Sequence, residues 1–140
     1  MSVPSITRAV FLRDVGGLCA VAFLPRLRLP DFHPLPHPDP RPGITAEHVL
    51  ADADLGQRPD KKVLQAYADA RAYPETFDGI ACGCGCGGKD GMHRSLLVCF
   101  ESKQPTGCRS CQLEAEMVGK MAKDEKLLAD IRAAVDKEFG

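Results

Sequence analysis

The sequence has no tryptophan, only two tyrosines and almost no net charge over its 140 residues. Proteins that bind single-stranded nucleic acid stack the bases on aromatic side chains, which are scarce here. Proteins that bind duplexes or anionic membranes concentrate positive charge, whereas this chain has a formal net charge of −1 with acidic and basic residues interspersed. We therefore expect neither a nucleic acid nor an anionic membrane as a partner.

The chain also lacks an apolar run long enough to cross a bilayer, which takes about 20 residues. Its apolar stretch at residues 15–24 instead has the length of the apolar region of an export signal. Arg8 and Arg13 precede this stretch, and residues 20–22, Ala-Val-Ala, form a small-x-small cleavage pattern. Cleavage there predicts a mature chain that starts near Phe23.

The N-terminal segment, residues 1–24, resembles a twin-arginine export signal in which Ala9 replaces the second arginine. We therefore predict an exported bacterial protein, located in the periplasm or on the extracellular face. The alternative is an amphipathic helix packed on the domain of a cytoplasmic protein, which two glycines and the following Pro25 disfavour. Cleavage would also remove Cys19 and leave six of the seven cysteines.

Seven prolines lie in residues 25–43. This composition predicts an extended linker with polyproline II character, followed by a single domain at residues 44–140. His33 and His37 lie in the linker, and histidine-rich tracts can bind metal. Two histidines on a tether are more often inert, so we do not count them as ligands.

Hydrophobic periodicity predicts an all-α domain of four or five short helices. Thr45 is the predicted N-cap of a first helix that ends at Gly56, and a second helix covers residues 60–73. Residues 74–79 are predicted as one further turn that begins at a proline. The last helices carry two apolar stripes that separate near residue 123: Leu113, Met117 and Met121, then Leu127, Leu128, Ile131, Val135 and Phe139.

Cysteine, by contrast, is abundant, and six of the seven cysteines lie in residues 82–111. Cys82, Cys84 and Cys86 alternate with glycines. In an extended backbone, residues two apart point to the same side, so these three side chains can present their sulfurs to one point. The glycines between them permit tight curvature. This pattern predicts a chelating loop.

The other three cysteines are predicted on helices. Cys108 and Cys111 stand at the start of an amphipathic helix, where the helix dipole favours thiolate, the form that binds metal. Cys99 follows three apolar residues on a short helix that would turn its sulfur inward. Thiolates from three separate segments would then converge, which a metal ion can drive.

This donor set indicates a soft metal. A closed zinc site takes four ligands, either four cysteines or three cysteines and a histidine, and other donors would remain. Cu(I) prefers sulfur and shares bridging thiolates, so we place Cu(I) first and zinc second. An iron-sulfur cluster is a weaker alternative, because the cysteine spacing matches neither common ferredoxin pattern. The predicted ligands are Cys82, Cys84, Cys86, Cys99, Cys108 and Cys111, with His93 as an optional ligand and Met92 as a weaker candidate.

Three other interpretations of the cysteines stay open. Export would permit a disulfide framework, although pairing within the triplet at residues 82–86 would be strained. Cys108 and Cys111 can instead be the redox pair of a thiol-disulfide oxidoreductase. In the third interpretation, one zinc ion stabilises a small structural module.

A glycine pattern at residues 83–88 matches a dinucleotide-binding fingerprint by letter. That fingerprint has meaning only between a buried strand and a helix, and cysteines fill the gaps here. We therefore expect no nucleotide ligand. No Ser-His-Asp or Cys-His-Asn order stands out either, so we expect a binding protein rather than an enzyme.

An ordered set of residues runs through residues 73–117: Pro74-Glu75, Phe77-Asp78, the Cys82/Cys84/Cys86 triplet, His93-Arg94-Ser95-Leu96-Leu97, Cys99-Phe100, Gly107-Cys108, Cys111 and Glu114-Ala115. This set resembles the bacterial family named for a Pro-Cys-Tyr-Cys-Gly-Cys motif, whose members are often exported or lipid-anchored. Ala81 and Gly83 depart from the motif, and the missing aromatic ring removes a packing anchor from the loop. The resemblance implies an exported, helical, metal-binding domain.

The functional hypothesis is therefore an exported protein that binds a soft metal for storage, sequestration or delivery. Its expected partners are the metal ion and a protein that donates or accepts that ion. The thiols carry the metal in this hypothesis, residues 1–24 carry the export, and the resemblance agrees with both.

Overall fold

A computed structural model of the chain describes residues 36–85 and 93–140. Within these residues there are six α-helices, one short 3-10 helix and no β-strand, so the all-α prediction is confirmed. The helices outnumber the predicted four or five because two of them are single turns of four residues. The helices are α1 Lys61–Ala72, α2 Pro74–Asp78, α3 Leu96–Cys99, α4 Gln104–Gly107, α5 Arg109–Lys123 and α6 Leu128–Phe139.

Helices α1 and α2 follow the local sequence signals. Asp60 is the N-cap of α1 and accepts a hydrogen bond from the Lys62 N–H at 3.0 Å. Pro74 begins α2, where the missing amide hydrogen costs no helical bond, and Gly79 follows its last residue. The predictions for residues 60–73 and 74–79 are therefore confirmed.

The helix predicted from Thr45 to Gly56 is wrong over most of its length. Only Asp52–Leu55 is helical, as a 3-10 helix that ends at Gly56 with φ of 98°. The Leu50 N–H donates to the Phe100 carbonyl, and the Leu50 carbonyl accepts a hydrogen bond from the Arg71 guanidinium. Because these backbone groups are used in tertiary contacts, they do not form the bonds of a regular helix.

Helix α5 lies at the centre of the fold and packs against α1 and α6. Its contact with α1 is close, since a Cβ on Gly119 would lie 2.5 Å from a carboxylate oxygen of Asp69. The predicted stripe at Leu113, Met117 and Met121 instead lines an open groove, and Leu113 is 38% exposed. The buried face of α5 comprises Cys111, Glu114, Ala115, Val118 and Gly119.

Aromatic packing holds α3 against α1 and α2. The ring of Phe100 meets those of Tyr67 and Phe77 edge to face, with centroids 4.9 and 5.9 Å apart. The Tyr67 hydroxyl donates to the Ser102 carbonyl at 2.6 Å, and burial raises the pKa of this tyrosine to about 12. These contacts fix the position of Cys99, the last residue of α3.

A fully buried carboxylate, Asp78, joins residues 36–43 to the helices. It accepts hydrogen bonds from Arg41 at 2.9 Å, from Arg94 at 2.8 Å and from the Ser95 hydroxyl at 2.9 Å. Arg132 adds a bond to the Pro38 carbonyl at 2.6 Å. The described end of the Pro-rich segment therefore lies against the helical domain.

Replacing Asp78 with asparagine should weaken the fold in a pH-dependent way. Burial alone would raise the pKa of Asp78, but hydrogen bonds from Arg41, Ser95 and Arg94 outweigh it and lower the pKa to about 2. The stabilisation is therefore present above the ordinary pKa of about 4 and is lost as the pH falls towards 2. We expect Asp78→Asn to lower the free energy of unfolding at pH 7 by about 1–3 kcal/mol, with the loss vanishing near pH 2.

Urea denaturation followed by far-ultraviolet circular dichroism measures this change, because the chain has no tryptophan for fluorescence. Asp54→Asn, at an exposed carboxylate, is the matched control and should leave the free energy of unfolding nearly unchanged. An equal effect of the two substitutions at pH 7 would contradict the assignment.

Candidate metal centre

Four cysteine sulfurs from three segments meet at one place. The Sγ atoms of Cys82, Cys84, Cys99 and Cys111 all lie within 4.8 Å of one another. Three of these residues are buried and Cys84 is half-buried. The predicted convergence of thiols from the loop, α3 and the start of α5 is therefore confirmed for these four, which we call the four-thiol set.

Backbone hydrogen bonds hold the loop that carries the first two cysteines. The Ala81 N–H donates to the Nδ1 atom of His37 at 3.0 Å, and the Gly83 N–H donates to Oε2 of Glu114 at 2.9 Å. These bonds fix the residues on either side of Cys82. Its sulfur lies 3.1 Å from that of Cys84, as predicted for side chains that point to the same side.

A side chain would be crowded between these two cysteines. A Cβ on Gly83 would lie 3.0 Å from the Cβ of Phe139, at the end of α6, so that this neighbour would have to move by a few tenths of an ångström. The motif resembled in the sequence has tyrosine at this position. The third cysteine of the triplet, Cys86, lies outside the described residues, as do Met92 and His33.

His93 lies next to the cysteine of α3. Its Nδ1 atom is 3.2 Å from the sulfur of Cys99, which is fully buried at the end of α3. The His93 side chain is half-buried. The optional imidazole ligand is therefore adjacent to a member of the four-thiol set.

Cys108 and Cys111 form a contact pair at the start of α5. Cys108 is the N-cap, and its sulfur accepts a hydrogen bond from the Cys111 N–H at 3.4 Å. The two sulfurs are 2.8 Å apart. Cys108 is half-buried and lies outside the four-thiol set, whereas Cys111 is fully buried and belongs to it.

The sulfur spacing suits a thiolate-bound metal. A tetrahedral zinc site with Zn–S bonds of about 2.3 Å places its sulfurs about 3.8 Å apart, and Cys82 and Cys111 have this separation, 3.8 Å. The closer pairs, Cys82 with Cys84 at 3.1 Å and Cys108 with Cys111 at 2.8 Å, are thiol contacts. Soft cations prefer such a donor set of sulfur atoms.

Negative charge is shared unequally among these thiols. Hydrogen bonds from Cys111 and Cys99 lower the pKa of Cys82 far below its ordinary value, although burial opposes the shift. Hydrogen bonding to Cys82 and Cys99 and burial raise the pKa of Cys111. A hydrogen bond with Cys111 lowers the pKa of Cys99, but the bond with Cys82 and burial outweigh it and raise that pKa.

Of these three thiols, Cys82 therefore ionises most readily, whereas ionisation of Cys99 and Cys111 is opposed. Further negative charge in a buried space is unfavourable unless a cation compensates it. A bound metal ion would supply that compensation and displace the remaining protons.

Sequence reasoning did not assign a role to Glu114, which lies beside these thiols. Its side chain is fully buried, and its Oε1 atom has no hydrogen-bond partner among the described residues. Burial and the negative charge at Cys82 raise the pKa of Glu114 to about 8. The available signal was its position three residues after Cys111, on the same face of α5.

His37 likewise has a structural role that composition did not indicate. Its ring lies between the Ala81 N–H and the Asp136 carboxylate, each at 3.0 Å. Both ring nitrogens are therefore used in hydrogen bonds away from the four-thiol set. The ring supports the approach of the chain to Cys82.

Replacing Glu114 with glutamine should stabilise the metal-free protein at high pH. A carboxyl group whose pKa is about 8 when folded favours folding only while it is protonated. Its destabilising effect is absent below the ordinary pKa of about 4.5 and grows as the pH rises towards 8. We expect Glu114→Gln to raise the free energy of unfolding by about 2 kcal/mol at pH 8.5 and to change it little near pH 4.5.

Urea unfolding of the reduced, metal-free protein at the two pH values measures this difference. Glu116→Gln on the exposed face of the same helix is the control, because its carboxylate is 61% exposed. An equal gain in the free energy of unfolding at both pH values would show that the effect of Glu114→Gln is not electrostatic.

Comparison of the chain with protein-family models, with curated proteins and with solved structures found no match. The resemblance carried by residues 73–117 therefore stays a prediction. In the described parts of the chain, no helix combines the length and the apolar character that crossing a membrane requires. The geometry establishes a cluster of four cysteines within metal-binding distance.

Proposed function

We propose that this protein is an exported soft-metal-binding protein that holds Cu(I) first, and Zn²⁺ second, for storage, sequestration or delivery. The observation that carries the proposal is the four-thiol set, whose sulfurs come from three segments and lie within 4.8 Å of one another. Packing alone rarely gathers four thiols from three segments in a largely buried space. A soft cation gives that arrangement a function.

The surplus of donors supports copper ahead of zinc. The four-thiol set alone can complete the tetrahedral coordination of one zinc ion. Cys108 and His93 extend the set, because the Cys108 sulfur lies 2.8 Å from that of Cys111 and the His93 Nδ1 atom lies 3.2 Å from that of Cys99. A connected array of donors suits bridging thiolates, which Cu(I) uses and a single zinc ion does not need.

The half-buried cysteines support exchange with a partner protein. Cys84 and Cys108 are partly exposed, whereas Cys82, Cys99 and Cys111 are buried. An incoming thiol of a metal-donor or metal-acceptor protein can reach the partly exposed sulfurs before the buried ones. Such ligand exchange favours delivery over permanent storage.

The proposal of export depends on the sequence. Residues 1–24 have the basic, apolar and small-residue pattern of an export signal. The family resembled by residues 73–117 is often exported or lipid-anchored. An exported protein meets metal ions before they enter the cytoplasm, which suits a role in sequestration or delivery.

A second candidate function is thiol-disulfide exchange at Cys108 and Cys111. Their sulfurs are 2.8 Å apart at the N-terminus of α5, and Cys108 is partly exposed. This is the arrangement in which a helix terminus activates a cysteine for attack on a disulfide. Rapid turnover with a dithiol reductant, lost in Cys108→Ser, would favour this candidate.

Metal titration of the reduced protein tests the main proposal. Under anaerobic conditions, in competition with a chromophoric Cu(I) chelator, the full chain should bind more than one Cu(I) ion. Cys111→Ser removes a buried member of the four-thiol set and should lower the affinity by about 10–100-fold or more. Cys19→Ser, outside the predicted ligands, is the matched control and should bind like the wild type.

The outcomes separate the candidates. Uptake of one zinc ion and no copper, with unfolding on chelation, would show a metal-stabilised structural module. Binding of neither metal by the reduced protein would overturn the proposal.

A further inference from the structure

Cys111 belongs to two arrangements at once. It is a member of the four-thiol set, with its sulfur 3.8 Å from that of Cys82. It is also the contact partner of Cys108, whose sulfur is 2.8 Å away and outside the set. One sulfur atom cannot serve as an anionic metal ligand and as half of a disulfide at the same time. The two states of this helix terminus are therefore mutually exclusive.

We infer that Cys108 and Cys111 form a redox switch, in which a disulfide between them withdraws Cys111 from the four-thiol set and releases the metal ion. This inference rests on the proposed function. It adds a regulation of the same site by the thiol-disulfide state of its surroundings.

The exposure of the two cysteines sets the order of events. Cys108 is half-buried, whereas Cys111 has no exposed surface. A disulfide on another molecule therefore reaches Cys108 first. Cys108 is therefore the cysteine that forms the mixed disulfide, and Cys111 is the one that resolves it.

The exchange is balanced in atoms and electrons. The Cys108 thiolate attacks one sulfur of the incoming disulfide, forms a mixed disulfide and expels the first thiolate. The Cys111 sulfur then attacks the Cys108 sulfur, closes the intramolecular disulfide and expels the second thiolate. The two expelled thiolates take up protons from water, so one disulfide is reduced to two thiols while Cys108 and Cys111 are oxidised, and the metal ion leaves without a change in its own oxidation state.

The geometry favours this pair over the other close pair of the site. Cys82 and Cys84 have sulfurs 3.1 Å apart, but they are only two residues apart, where a disulfide is strained. Cys108 and Cys111 are three residues apart across the first turn of α5, and their sulfurs are already in contact. Closing this bond requires little movement of the helix.

The disulfide would leave three sulfurs of the four-thiol set, those of Cys82, Cys84 and Cys99. Zinc would then have to replace an anionic thiolate with a neutral donor such as His93, whose Nδ1 atom is 3.2 Å from the Cys99 sulfur, so its affinity should fall on oxidation. Reduction restores Cys111 and with it the site. The protein would thus hold its ion under reducing conditions and surrender it after exchange with a partner disulfide.

The test uses the full chain, reduced, loaded with Zn²⁺ and freed of excess metal. Zinc content is measured first, and oxidised glutathione is then added in the presence of a chromophoric zinc indicator. The wild type should release its zinc while peptide mass mapping detects a disulfide between Cys108 and Cys111. Release is expressed as a fraction of the zinc that each variant holds before oxidation. Cys108→Ser should release its zinc at least ~10-fold more slowly than the wild type. Cys19→Ser should behave like the wild type.

The inference is overturned if the disulfide between Cys108 and Cys111 forms while zinc stays bound, or if mapping finds Cys82 joined to Cys84 instead. Equal release rates for Cys108→Ser and the wild type would also overturn it. A reduced wild type that holds no metal would refute the proposed function, and the zinc content before oxidation makes that failure distinguishable from failure of the switch.

Discussion

Crowding of thiols in a buried space is the constraint on which the rest of this structure depends. The sulfurs of the four-thiol set, at Cys82, Cys84, Cys99 and Cys111, lie within 4.8 Å of one another. A low-dielectric pocket disfavours several uncompensated negative charges at once. Hydrogen bonds lower the pKa of Cys82, whereas the pKa values of Cys99 and Cys111 are raised. A bound cation would resolve this conflict, because it would supply the compensating charge at the point where the sulfurs meet.

The helices serve to bring these sulfurs together from distant parts of the chain. The loop of Cys82 is held by Glu114 and His37 through the two flanking N–H groups. The Asp78 carboxylate ties the same region to residues just before α3, and edge-to-face packing of Phe100 fixes the end of that helix. Each support is a buried or half-buried contact with a defined geometry. These contacts hold the sulfurs close together, and such pre-organisation would limit the entropy lost on binding a cation.

Local signals in the sequence were sufficient for several elements. The Asp60 cap and the proline at residue 74 set the ends of α1 and α2, and the two apolar stripes separated α5 from α6. The helix predicted from Thr45 failed because the Leu50 backbone pairs with Phe100, far along the chain. Such a contact leaves no trace in a local pattern.

The candidate metal centre could likewise be predicted only in part from the sequence. Alternation of cysteine and glycine predicted that Cys82 and Cys84 share a side, and helix position predicted that Cys111 lies at the start of α5. The roles of Glu114 and His37 depend on bonds to residues 31 and 44 positions away in the chain. A buried carboxylate beside thiols also contradicts the usual preference of glutamate for the surface. Composition therefore could not indicate it.

The most direct test of the central claim is the reactivity of each cysteine towards an alkylating reagent. The full chain is reduced, treated with iodoacetamide with and without one equivalent of Zn²⁺ or Cu(I), and analysed by peptide mass. Labelling is followed over time, because the buried Cys99 and Cys111 react only when the fold opens transiently. If one ion is shared, the labelling rates of Cys82, Cys84, Cys99 and Cys111 should fall together when the ion is bound, while Cys19 reacts equally in both samples. Protection of cysteines from a single segment, or of none, would contradict a site built from three segments.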